Sequence, residues 1–527
     1  MAESAIQRPN IVCIMPDGTD FVWLSCYGGR TPTPNIDRIA EAGVRFDQMY
    51  CATSVCTPSR YSYLTGHYAG RCTDPRFLAE NPKHELYNVE WNVVLNTGMQ
   101  SVGKVLQANG YRTGHAGKWH CGRPRRELAL PNLLQDADLD DPRVNATLQE
   151  YQRNLQDEVR RTGGFDYAAG IVWGDNESFP VAALREHNLE WITQGALDFL
   201  DGCGADQPFF LYVTPTAFHG PPHDESYEMD VQTTQGGLVA RPFTCHPPRD
   251  QMRQRLEERG LPYNGDTVGI TWIDDQVGAI LQKLEEMGVA ENTVVIFKVD
   301  HNTETGKGTC HQDGTHIPMV MAWPGVVEPG TVCEARVMNT DFAPTVFEMA
   351  GAEIPDTMPL DGTSWLPLLT GEQELTHDDL FFEFGYTRAV LYENWKYIAL
   401  RYPQHLLDTM RTGEVSEAPN HINQRLQGQM NIAIETYPAY FYPDQLFNLN
   451  DDPEERHNLA DDPAYADVLA GMQQRLQVYL DTFDHPFDLA VPDFMRSQRY
   501  KALCDETRKI GTGHLSWWPT DEWWVEA

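Results

Sequence analysis

The chain has 527 residues, 41% of them apolar, and carries 76 acidic against 40 basic side chains, a formal charge of −36. Length and apolar content suit one large core with an appendage. The charge argues against nucleic acid and anionic membrane as partners, since both demand basic patches.

Residues 1–10 are short and polar, with no basic stretch leading into an apolar one, so no secretory signal is expected and the expected location is cytoplasmic. No run is long enough to span a bilayer. The eleven cysteines, odd in number and scattered, then read as reduced thiols. Residues 10–15 form a short apolar run closed by Pro16-Asp17-Gly18, which predicts a buried strand with a carboxylate just past its C-terminal end. Residues 34–42 have helical spacing, a leading proline and Gly43 as a stop, and residues 44–50 predict a second strand. Pro58 suits a first helical turn, so Cys56 is expected at or just before a helix N-terminus. Free amides and a positive partial charge there favour an anion.

Residues 127–164 are acidic and only partly helical in pattern, an expected insertion on a pocket rim. Residues 209–214 and 293–299 predict strands, with a helix at 267–287 between them, and residues 219–262 are rich in proline, glycine and charge. Around 370–379 the character changes. Residues 381–384, 389–392 and 396–400 alternate like antiparallel strands, followed by 444–450 and a helix near 464–482. The tail carries Trp517, Trp518, Trp523 and Trp524, a candidate cap on the chain's own core or a contact in a homo-oligomer, dimer or tetramer. Together these elements predict an α/β chain. A large, mostly parallel sheet sandwiched by helices spans 1–375, a smaller C-terminal α+β region spans 376–490, and a Trp-rich tail spans 491–527. In such sheets ligands bind beyond the carboxyl ends of the strands, where Asp17 and Asp300 fall.

The segment Cys56-Thr57-Pro58-Ser59-Arg60, followed by Leu64-Thr65-Gly66, resembles the C-x-P-x-R signature of the formylglycine-dependent sulfatases of the alkaline phosphatase superfamily. Further segments follow in the family's order. Residues 8–17 end on Asp17 where the family has an Asp pair, but Gly18 stands at the second position. Gly117-Lys118-Trp119-His120-Cys121-Gly122 is close to the family's G-K-W-H-x-G. Residues 209–219 resemble its strand followed by a histidine, best matched by His219, with His223 weaker and expected in a loop. Asp300-His301 stands where sulfatases usually show Asp-Asn and where related phosphonate monoester and phosphodiester hydrolases show Asp-His; Asn302 competes with His301. Gly306-Lys307-Gly308 resembles a G-K-G run, and residues 446–460 resemble the family's closing pattern.

The resemblance implies an alkaline-phosphatase-like fold and an arylsulfatase-like sulfuric ester hydrolase. Cys56 would be oxidised by a formylglycine-generating maturase, and the hydrated aldehyde would attack the sulfur of a small-molecule sulfate ester. Arg60 would hold residue 56, Lys118 and Lys307 would supply fixed positive charge, His219 would protonate the leaving group, and His120 would remove a proton from the second hydroxyl. Asp17, residue 56, Asp300 and His301 would ligate one divalent cation, calcium first by the family and manganese second because of the histidine. The alternatives are a phosphonate monoester or phosphodiester hydrolase with the same nucleophile, favoured by Gly18 and His301, and a catalytically dead anion-binding homologue.

Overall fold

The computed structural model describes residues 8–122, 130, 137–204, 206–302, 306–374, 376–415, 418 and 429–510. The four tail tryptophans lie outside the described residues. Fifteen strands run through them: β1 Asn10–Ile14, β2 Val44–Tyr50, β3 Arg112–Lys118, β4 Tyr167–Val172, β5 Phe209–Thr214, β6 Thr233–Thr234, β7 Gly237–Leu238, β8 Thr293–Lys298, β9 His316–Ala322, β10 Thr331–Cys333, β11 Val337–Met338, β12 Asp379–Phe384, β13 Thr387–Tyr392, β14 Trp395–Leu400 and β15 Asp444–Asn448.

The large sheet has the order β10-β2-β9-β8-β1-β5-β3-β4, with β11 also paired to β2. Only β9 runs against its neighbours, β2 and β8; the other pairings are parallel. The sheet is covered on both faces, which explains the unbroken apolar run of β1. Ile11 and Cys13 face one core with Tyr63 and Leu64. Val12 and Ile14 face the other with Ile270 and Trp272. The helix carrying those last two residues spans Gly265–Glu286, starting earlier than its apolar pattern because Asn264 and Thr267 form a reciprocal cap.

Asp274 on that helix caps the helix Pro34–Glu41. Its Oδ1 accepts from the Asn35 and Ile36 amides, and its Oδ2 from Asn35 Nδ2, each at 2.9 Å. Burial, only partly offset by these bonds and reinforced by Asp275, pushes the carboxyl up to about 7. The folded chain therefore keeps a proton that an unfolded aspartate releases near pH 3.9. This group's stabilisation is full below about pH 4 and is lost as the pH rises to about 7. Asp274→Asn should flatten that part of the urea-midpoint profile; identical profiles for the two proteins would remove Asp274 as its source.

Residues 142–163 correct one expectation. They form a single 22-residue helix, Pro142–Gly163, capped by Asp141 and ended by Gly164 at φ 75°. Leu148, Leu155 and Val159 share its buried stripe, which the charged opposite face obscures in the sequence. This part of the expected rim is scaffold for the sheet edge at β4. Residues 219–262 likewise hold helices at His223–Glu228 and Met252–Glu258, so His223 opens a helix and does not lie in a loop.

Strands β12 to β15 form an antiparallel sheet in chain order, packed against the helix Ala466–Leu480. The helix Gln498–Ile510 packs Tyr500 and Cys504 against Leu407 and Tyr437, so this stretch of the expected tail belongs to the chain's own core. The small sheet also reaches the large one. Glu455 Oε2 accepts from the Gln312 amide (2.6 Å), Lys396 Nζ donates to Gln312 Oε1 (3.1 Å) and Thr315 Oγ1 (3.2 Å), and Tyr437 Oη donates to Asp313 Oδ2 (3.1 Å). Segment 306–315, which carries Lys307, is clasped by these side chains.

Candidate active site

The site lies beyond the carboxyl ends of β1, β8, β3 and β4. Asp17 and Asp300 each follow a strand of the parallel core, and both are fully buried. Cys56 is the first residue of the helix Cys56–Thr65. Extended Val55 precedes it and Gly66, at φ 69°, ends it, and Tyr63 Oη donates to Val299 O (2.9 Å), which ties the helix to the end of β8. Cys56 Sγ lies 3.2 Å from His301 Nε2 and 3.5 Å from Asp17 Oδ1. His301 Nε2 is in turn 3.5 Å from Asp17 Oδ1 and 3.7 Å from Asp300 Oδ1. Its Nδ1 pairs with Asn302 O at 2.8 Å, which aims Nε2 into the cluster. Asn302 uses its amide on His316 O (3.5 Å). Asp17, Cys56, Asp300 and His301 thus each bring one donor atom within 4.8 Å of the others.

Arg60, one turn along the helix, donates Nε to Asp300 Oδ2 (2.9 Å), approaches Asp17 Oδ2 with Nη2 (3.6 Å) and donates Nη1 to Lys118 O (3.1 Å). Lys118, at the end of β3, bridges Asp17 Oδ2 and Asp175 Oδ1. His120 follows at φ 43°, a left-handed backbone uncommon for histidine. Its Nδ1 is 3.9 Å from Asp175 Oδ1. His219 Nε2 is 3.6 Å from the same oxygen, and its Nδ1 is 3.7 Å from Glu177 Oε2. Lys307 is buried nearby and lowers the proton affinity of His301.

The charges balance locally. Burial alone would raise the Asp17 carboxyl, but Lys118, His301 and Arg60 hold it well below the usual carboxylate range. Asp175, also pushed up by burial, is held below that range by His219, Lys118 and His120. Burial and Lys118 press His120 down to about 3. Against burial, Asp300 lifts His301 to about 10. A cation held by these carboxylates and His301 would displace the imidazole's extra proton, since a ligating histidine is neutral.

Every site residue expected from the sequence lies in this region. Asp175 was not anticipated, yet it meets Lys118, His120 and His219. In the fold it stands just past β4, as Asp17 and Asp300 stand past β1 and β8. Gly18, where a second aspartate was expected, donates its amide to Asp300 Oδ1 (2.9 Å) from φ 64°.

A sulfatase family model matches residues 9–352. The chain belongs to the sulfatase family. A second model, the C-terminal part of N-sulphoglucosamine sulphohydrolase, matches residues 305–401. Human arylsulfatase A is 28% identical over 89% of this chain and 87% of its own length. The steryl-sulfatase of Rattus norvegicus is 26% identical over 90% and 89%. A structure solved in complex with its substrate D-glucosamine-2-N,6-O-disulfate superposes at TM-score 0.59, with 19% identity, covering 91% of this chain and all of that one. A Pseudoalteromonas sulfatase structure superposes at TM-score 0.57, with 18% identity over 92% of each chain. This sulfatase is a sulfuric ester hydrolase with the mostly parallel sheet and C-terminal antiparallel sheet expected from its sequence.

Proposed function

We propose that this sulfatase hydrolyses small-molecule sulfate esters, with residue 56 as the nucleophile. The observation that carries the reading is the buried convergence of Asp17, Cys56, Asp300 and His301, with Lys118, His120 and His219 beside it. The donor set fits a divalent cation: two carboxylates, an imidazole whose other nitrogen is already tied, and residue 56, all buried. Such an ion would neutralise charge on the ester and orient the nucleophile. The oxygen donors suit calcium first, and His301 makes manganese the second choice. Conversion of Cys56 to formylglycine, by a maturase in the host, supplies a hydrated aldehyde as the attacking group.

The chain's own side chains do the rest. Arg60 fixes Asp300 and the first turn of the helix that carries residue 56. Lys118 and Lys307 place positive charge where negative charge develops on the sulfate oxygens. His120, kept neutral by its surroundings, accepts a proton from residue 56. His219 gives a proton to the departing oxygen, steadied by Asp175 on Nε2 and Glu177 on Nδ1. His219→Ala should cost about 10²–10⁴ in kcat/KM on esters with poor leaving groups and little on activated aryl esters. An equal loss on both would remove His219 from this role.

His301 supports a second reading, hydrolysis of phosphonate monoesters or phosphodiesters by the same nucleophile, because Asp300-His301 stands where sulfatases usually show Asp-Asn and its ring nitrogen belongs to the cluster around Cys56. The two are separated by kcat/KM on matched aryl sulfate, aryl phosphonate and phosphodiester substrates, with metal content measured on the same samples. A preference for sulfate supports the first reading; a preference for the phosphorus esters overturns it.

A further inference from the structure

Cys56 belongs to two groups of donor atoms. Besides Asp17, Asp300 and His301 on one side, it lies within 4.8 Å of donor atoms from His120 and Asp175 on the other. His120 Nδ1 is the informative atom. The residue is only 4% exposed, and Nδ1 is buried with no hydrogen-bond partner among the described residues. A buried ring nitrogen without a partner is costly. This one is held in place by backbone pairing: the His120 amide donates to Trp173 O at 2.8 Å and fixes it beside the segment that carries Asp175. Asp175 Oδ1 lies 3.9 Å from Nδ1, too far for a hydrogen bond but close to the spacing of two ligands on one ion.

We propose that the thiol form of this chain holds a second, softer divalent cation of the zinc class on Cys56 Sγ, His120 Nδ1 and Asp175 Oδ1. The donor set of sulfur, nitrogen and one oxygen differs from the oxygen-rich set across Cys56 and selects a different class of metal. His219 Nε2, 3.6 Å from Asp175 Oδ1, is the nearest candidate for a fourth donor. Lys118 is the competitor, since its ammonium already donates to Asp175 Oδ1, and it keeps Asp17 when the ion arrives. Binding deprotonates the thiol, so one proton leaves Cys56 for solvent as the metal–sulfur bond forms. A thiolate bound in this way is withheld from oxidation. The site therefore belongs to the chain before residue 56 is converted and disappears once the sulfur has gone.

This inference rests on residue 56 as the reacting position, but its test is independent of turnover. Full-length protein produced without a formylglycine-generating enzyme is titrated with Co²⁺ as the spectroscopic probe. Wild type should take up two equivalents, one of them giving thiolate-to-cobalt charge transfer and tetrahedral bands. His120→Asn, whose new side chain tolerates the left-handed backbone, and Asp175→Asn should each lose that equivalent or weaken it by more than about tenfold, and keep the other. Asp17→Asn should show the opposite pattern. A single equivalent in wild type that both the His120 and the Asp175 variants keep, or unchanged two-equivalent uptake in those variants, overturns the second site. Loss of only the Asp17-dependent equivalent would instead count against the reading of the first.

Discussion

Cys56→Ala is expected to abolish turnover while the fold survives. Only the residue-56 side chain stands at the N-terminus of the helix Cys56–Thr65, within reach of both Asp17 and His301. Alanine there offers no nucleophile before or after maturation, so kcat/KM on aryl sulfates should fall by at least about 10⁴. The structural loss is one sulfur atom at a site already lined by charged groups, so far-ultraviolet circular dichroism and the melting temperature should change little. Asp17, Asp300 and His301 remain, so bound divalent metal should persist. Wild-type turnover in this variant would sink the mechanism outright.

Arg60→Met should have the largest effect on stability. Its guanidinium is 1% exposed and stands between Asp17 and Asp300, which are fully buried. Removing it leaves two buried carboxylates short of a partner, a change that costs about 3–5 kcal/mol when one member of a buried pair is deleted. The urea midpoint should fall accordingly. Added calcium or manganese should recover part of the loss, because a cation on the same carboxylates replaces some of the missing charge. An unchanged midpoint would show that Lys118 and His301 suffice to balance the pair. Arg60→Lys should not rescue fully, since one ammonium cannot reproduce the three contacts made by Nε, Nη1 and Nη2.

Much of this was legible in the sequence. The apolar runs of β1, β5 and β8 show their type because both faces are buried, and a proline two residues after Cys56 marks the helix start. The strand β3 was hidden. Its Gly114, Ala116 and Gly117 have little β-propensity, and tertiary packing explains them. A side chain on Gly114 would strike the Phe199 ring, and one on Gly117 would meet Thr214 O at 2.1 Å. Asp175 was hidden for a different reason: nothing in Trp173-Gly174-Asp175 sets it apart until the topology places β4 beside β3. Gly18 was legible as a departure from the family pattern, but its amide contact with Asp300 is visible only in three dimensions.

The clasp on segment 306–315 has a consequence for how this enzyme comes into being. Its reacting groups come from positions as far apart as Asp17 and Lys307, and Glu455 and Lys396 grip the loop that carries the latter. Such sequence-distant contacts are the slowest to form. A ribosome must therefore release most of the chain before the centre can close. Early folding intermediates and chains truncated before the small sheet should be silent, which makes hydrolysis itself a reporter of complete assembly.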